Sequence, residues 1–188
     1  MKDKEAVKVS AKVMATNNGN ITFAGTNAKG EETGVITCTK SQLAGTVTMN
    51  TGTEAKFNVE SVSFSGTEMG GKCSDTIIGV GPVQVIAENL PWCFSSTVIE
   101  IFSIRGGSCA AGASPVKLTI VGMFATCTYE RTTLGGSYVK NSPPAVLAMV
   151  SQQAKLAKGG GACPPEGDFT GLYSLTTEAE PANTIQFI

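Results

Sequence analysis

The chain has 188 residues and not one histidine. That absence removes the imidazole general base, the Ser-His-Asp triad and the Cys-His pair. It also removes the usual nitrogen ligands of zinc. Arginine is almost missing: Arg105 and Arg131 are the only two. Basic residues number 14 against 15 acids, for a net charge of −1, and no basic block occurs. Phosphate recognition needs a basic stripe, so no nucleic-acid partner is expected. No apolar run approaches the roughly 20 residues of a membrane helix, so no membrane insertion is expected. The opening MKDKEAVKVSAKV lacks the apolar core of a signal peptide. If the chain is exported, its leader is expected to have been removed.

Aromatic residues are scarce as well, with one Trp, three Tyr and eight Phe. A carbohydrate-binding platform would have to be drawn from Trp92, Phe94, Tyr129, Tyr138 and Tyr173. Alternation puts Trp92 and Phe94 on one face of a strand, where core packing is the expected use.

What is present is cysteine. Six occur, at Cys38, Cys73, Cys93, Cys109, Cys127 and Cys163, none in a C-x-x-C pair. Without zinc spacing or a thioredoxin-type motif, an even set in a polar chain reads as three disulfides and an oxidising compartment. A bridge from Cys93 to Cys109 would close a short hairpin. Local pairing favours 38 with 73 and 127 with 163, although six cysteines allow about fifteen pairings.

Strand signals recur along the chain. Val7, Val9, Ala11 and Val13 alternate with polar residues, and the turn-type cluster NNGN follows at 17–20. Further strands are expected at 21–25, 34–40, 44–50, 57–64, 82–92, 96–104, 116–130, 135–139, 169–177 and 184–188. In FNVESVSF the apolar phase slips at Glu60-Ser61, which implies a bulge. Residues 143–161, PPAVLAMVSQQAKLAKGGG, read equally as a helix, from propensity and flanking Pro and Gly, or as a hairpin. The expected fold is all-β: a single antiparallel sandwich or barrel-like domain, jelly-roll or Ig-like, with three disulfides.

Chemistry-bearing motifs are weak. Glu88, Glu100, Glu130, Glu166 and Asp168 could supply a carboxylate pair for glycoside hydrolysis, but each sits at a strand end or loop where a solvated acid is the ordinary case. Glu166-Gly167-Asp168 falls short of a calcium ligand set. Gly79-Val80-Gly81-Pro82 lacks the third glycine and the helix of a nucleotide fingerprint and reads as a turn. Asn20-Ile21-Thr22 is a formal glycosylation acceptor. No catalytic residue, metal site or cofactor is expected.

The stretch AENLPWCF at 87–94 combines a proline, the lone tryptophan and a cysteine. Pro91 cannot donate to a ladder, so the strand should end or bulge there. Trp92 is then expected to plug the core and Cys93 to staple the corner.

Taken together, ITFAGT, GVITCTKSQLAGTV, VQVIAENLPW, LTIVGMFATCTYE, LGGSYV and CPPEGDFTGLYSLTT resemble a diffuse group of secreted bacterial β-proteins of mostly unknown function. The group runs from actinobacterial exported proteins to the alkane oxidation protein activator family. The resemblance covers roughly residues 21–178. It implies an extracellular or cell-surface β-domain without catalytic residues, Cys38/Cys73 and Cys127/Cys163 as the usual pairs, and a hairpin over 145–158. Cys93 and Cys109 depart from the group's pattern and form an added pair.

The expected function is a non-enzymatic extracellular structural protein, a surface, biofilm-matrix or fibre subunit. The alternative is a secreted binding module for carbohydrate or an apolar ligand. Residues 1–16 are expected to form an N-terminal strand segment ahead of a disulfide-stapled domain at 17–188. In that view Val7, Val9, Ala11 and Val13 would fill the groove of a neighbouring copy, giving a homo-oligomer or filament.

Overall fold

The computed structural model describes residues 7–77, 81–97, 100–139 and 144–177. Within them fourteen strands follow one another: β1 (Lys12–Asn17), β2 (Ile21–Thr26), β3 (Glu32–Cys38), β4 (Lys40–Asn50), β5 (Glu54–Ser65), β6 (Ser74–Asp75), β7 (Gln84–Glu88), β8 (Trp92–Thr97), β9 (Ile101–Gly106), β10 (Val116–Val121), β11 (Thr126–Arg131), β12 (Leu134–Val139), β13 (Ala145–Lys158) and β14 (Glu166–Thr177). A short 3₁₀ turn at Met69–Gly71 is the one helical element among the described residues. The all-β expectation holds, and of the two architectures it allowed the chain adopts the barrel.

Eight strands close on themselves in the order β14–β1–β4–β5–β8–β9–β12–β13, with β13 pairing back to β14. The ladder partners are antiparallel throughout. Inward positions of this ring are apolar and buried: Val13, Ala15, Val47, Phe57, Phe94, Phe102, Leu147 and Leu175. Phe57 stacks on Phe94 at 4.2 Å between ring centroids, and Phe94 on Phe102 at 5.2 Å. The barrel is filled by side chains.

The remaining strands form a second sheet on the same hairpin. The first part of β14 pairs with β2, then β3 and β6. The last part of β13 pairs with β11, then β10 and β7. Among the described residues these two wings meet at a single bridge, where Cys73 and Val83 exchange backbone hydrogen bonds of 2.8 and 3.0 Å. Ring and wings share one contiguous apolar core.

This arrangement explains the turn clusters. NNGN does not turn a hairpin. β1 and β2 both run antiparallel to β14, at successive registers, so the cluster is the break where the chain leaves the ring for the wing. Gly19 supplies the positive φ of 87°. The Asn17 amide patches the interrupted ladder, donating to Thr39 O at 2.9 Å and accepting from Ser41 N at 2.8 Å. β3 and β4 break at the same level, at Thr39, and β7 and β8 break at Asn89–Pro91, with a cis Leu90–Pro91 bond.

Several expected single strands are therefore two. Residues 82–92 split at Pro91. Residues 96–104 contain the β8–β9 turn, where Glu100 takes a φ of 60°. Residues 116–130 are the β10–β11 hairpin. The expected bulge in β5 is present: Ala44 faces Ser61 while Gly45 faces Val59, leaving Glu60 as the extra residue. A Cβ at Gly45 would lie 2.0 Å from Asn58 O, so only glycine fits beside that bulge. The strand expected at 184–188 lies outside the described residues.

Residues 145–158 are neither helix nor hairpin but the single strand β13. Ala145, Leu147 and Met149 point inward at 2% exposure or less. A bulge at Val150-Ser151, with Ser151 at φ 47°, then resets the phase for Gln152, Ala154 and Leu156. Helix propensity loses here because both edges find ladder partners.

The N-terminal segment is part of the ring. β1 pairs with β14 on one edge and β4 on the other, so a boundary at residue 16 falls inside a strand. Val13 is buried, Val7 and Ala11 pack against the core, and Val9 is exposed. Lending this strand to another copy would require both ladders to open.

Candidate functional site

The six cysteines form three bridges, 38–73, 93–109 and 127–163. The first sits at the Cys73–Val83 junction of the two wings. The third ties β11 to the loop before β14. The 93–109 bridge lays the loop after β9 against β8, and that loop is held further by Cys109 N donating to Asn58 Oδ1 at 2.7 Å. Among the described residues no group of three or more His, Cys, Asp or Glu is placed to hold a metal, and no helix is long and apolar enough to cross a membrane.

Four of the five candidate acids, Glu88, Glu130, Glu166 and Asp168, lie on strands of the wing sheet. Directly opposed residues share a face, and the register places Glu88 beside Lys117, Lys117 beside Glu130, Glu130 beside Lys155, and Lys155 beside Glu166. Five charges of alternating sign thus cross five strands. Lys117 Nζ lies 3.3 Å from Glu130 Oε2, and the Gln153 amide donates to Glu166 at 2.8 Å. Each acid has a cationic or amide neighbour, and no two of these carboxylates are directly opposed. Asp168 faces Gln153 across the ladder, and Glu100 lies in the β8–β9 turn.

The aromatic candidates are interior. Trp92 is 2% exposed and its indole donates to Glu88 O at 2.8 Å. Phe94, Tyr129 and Tyr173 are buried. The side chain of Tyr138 lies outside the described residues. Tyr173 OH and Ser41 Oγ bond at 2.9 Å inside the core, and burial holds the phenol far above its ordinary range. Tyr129 OH donates to Pro164 O at 2.9 Å, and burial pushes it up to about 12.

The feature that the sequence did not reveal is a cavity of about 40 Å³ on the inner face of the wing sheet. Phe23, Ile36, Leu118, Ile120, Tyr129 and Phe169 form most of its wall. Two glycines that line it face each other across a ladder, Gly25 on β2 and Gly167 on β14. Gly167 stands next to Ala154 on β13, so two adjacent inward positions carry almost no side chain, whereas the Pro164 ring packs against Gly25, 2.6 Å from where a Cβ would stand. A close-packed core fills such places, and voids larger than a water are few. The wall is apolar except at one end, where Arg131 and Gln152 reach it.

Both polar residues are held by backbone. The Arg131 guanidinium donates through Nε to Thr133 O at 2.7 Å and through Nη1 to Gln153 O. Gln152 accepts from Gly135 N at 2.8 Å and donates to Val150 O at 2.9 Å. Near the opposite end Asp75 stands opposite Ile36, beside the wall residue Ile77. Its Oδ1 accepts from Ile77 N at 2.7 Å, while its buried Oδ2 has no partner among the described residues. Burial raises the Asp75 carboxyl above the usual range, against the backbone N–H groups of Ile77 and Thr76.

No sequence signal marked this cavity, because its glycines come from strands distant in the chain and meet only through register. No protein-family model, curated protein or solved structure matches the chain.

Proposed function

We propose that the protein is a non-catalytic binding module, exported to an oxidising environment, that takes a small apolar group into the wing cavity. One observation carries this reading: an apolar hollow of about 40 Å³ on the inner face of the wing sheet, beside the small residues Gly167 and Ala154. The three disulfides support the exported setting, since such bridges persist where the surroundings are oxidising. The resemblance to secreted bacterial β-proteins belongs to the same reading. Self-association through the N-terminal segment is less favoured, because β1 is engaged on both edges.

Xenon is the direct probe, since it enters dry apolar cavities without chemical selectivity. Under xenon pressure the amide resonances of Gly25, Gly167 and Ala154 should shift, and those of the ring should not. Ala154→Leu should abolish the shifts. If xenon leaves these three amides unchanged in the native protein, the cavity is closed to ligands and the reading fails.

A further inference from the structure

We propose that the group received by this cavity carries a carboxylate, and that Arg131 binds it; the inference rests on the binding-module reading above. Arg131 is one of two arginines in the chain. On β11 it alternates in phase with buried Tyr129, and across the ladder it opposes buried Val116, so it stands on the inward face at the end of the strand. Arg131 is half-buried, with its guanidinium at the exposed end of the hollow. No acid lies within ion-pair distance of it among the described residues. The neighbouring acids are committed elsewhere: Glu130 to Lys117 and Glu166 to Gln153.

The guanidinium is nevertheless oriented. Nε and Nη1 are held by the carbonyls of Thr133 and Gln153, on two different strands or their ends, which fixes its plane. Nη2 makes no hydrogen bond among the described residues. A planar donor fixed on two sides, at the exposed end of an apolar hollow, can offer its third side to an anionic oxygen whose apolar remainder enters the hollow. The size limits that remainder. A cavity of about 40 Å³ accepts a short aliphatic group, whereas a benzene ring occupies one of about 150 Å³. The ligand class is therefore a short-chain aliphatic carboxylate.

The test compares butyrate with 1-butanol, which share the alkyl part and differ in charge, by amide-shift titration of the native protein. Butyrate should shift Gly25, Gly167 and Arg131 and bind about tenfold or more tightly than butanol, the factor a charge-assisted bond contributes. Arg131→Gln should bring the two probes to equal affinity, and added chloride should weaken butyrate alone. Equal binding of both probes to the native protein would overturn the role of Arg131 while leaving the apolar cavity standing. Shifts from neither probe, together with a silent xenon experiment, would remove both proposals. The native comparison needs no variant, so a folding defect in Arg131→Gln cannot rescue the idea.

Discussion

The ring and the wing sheet are built from the same kinds of strand but are closed in different ways. The ring closes by ladder alone, with every strand paired on both edges. The wings close through one two-hydrogen-bond bridge beside a two-residue strand, β6. Two of the three disulfides act on the wings, and one of them lies at that bridge. Cores differ in the same sense. The ring is filled by a stack of three phenylalanines, whereas the wing interior keeps a hollow beside Gly167 and Ala154. Covalent closure where the ladder is short leaves the adjoining interior free to stay open. A site that must admit a ligand belongs in the less tightly packed half.

Four experiments break or sharpen that contrast. The largest effect is expected from removing β1. Deletion of residues 1–16 takes a strand from the middle of the ring and leaves β4 and β14 with open edges, so cooperative unfolding should be lost by circular dichroism. A deleted protein that still folds would show that the segment is an appendage, as strand exchange requires.

Phe94→Ala should cost about 3–5 kcal/mol in denaturant unfolding, since it empties the centre of the ring's aromatic stack. Trp92→Ala at the corner should fall in the same range. A loss below about 1 kcal/mol at Phe94 would mean that the ring is loosely packed.

Opening the 38–73 bridge with the double change Cys38→Ala and Cys73→Ala should cost about 2–5 kcal/mol. Hydrogen exchange should place the lost protection in β2, β3, β6 and β7, while β4, β5 and β8 keep theirs. Uniform loss across both halves would remove the distinction drawn here.

The smallest effects concern protons. Tyr129, pushed up to about 12 by burial, stays neutral in the fold at pH values where the unfolded phenol, near 10, ionises. Its contribution is intact below pH 10 and is lost as pH rises through about 12. Tyr173 shifts in the same direction, so phenolate absorbance should appear together with unfolding in an alkaline titration. Asp75 shifts in the same direction, but in the acid range. Its raised carboxyl favours folding only while protonated, and that contribution disappears as pH rises above its ordinary 3.8. Asp75→Asn should therefore leave stability at pH 7 unchanged or raised, and a clear loss there would assign the carboxylate a partner.

Much of this could be read from residue order alone. Period-two alternation marked the strands, the phase slip at Glu60 marked a bulge, and an even set of six cysteines without metal or redox spacing pointed to disulfides, with local pairing only a preference. These are local signals, carried by neighbours in sequence. Residues 145–158 mark where such reading stops. Ala, Leu, Met, Gln and Lys favour a helix in isolation, and the strand forms because β12, β11 and β14 offer ladder partners on both edges. NNGN carries the chemistry of a hairpin turn, yet β14 supplies one continuous edge to β1 and β2, and the turn residues become a strand break. The cavity was beyond sequence reading for the same reason. Ala154 and Gly167 are unremarkable one by one, and only the register of β13 and β14 sets them side by side.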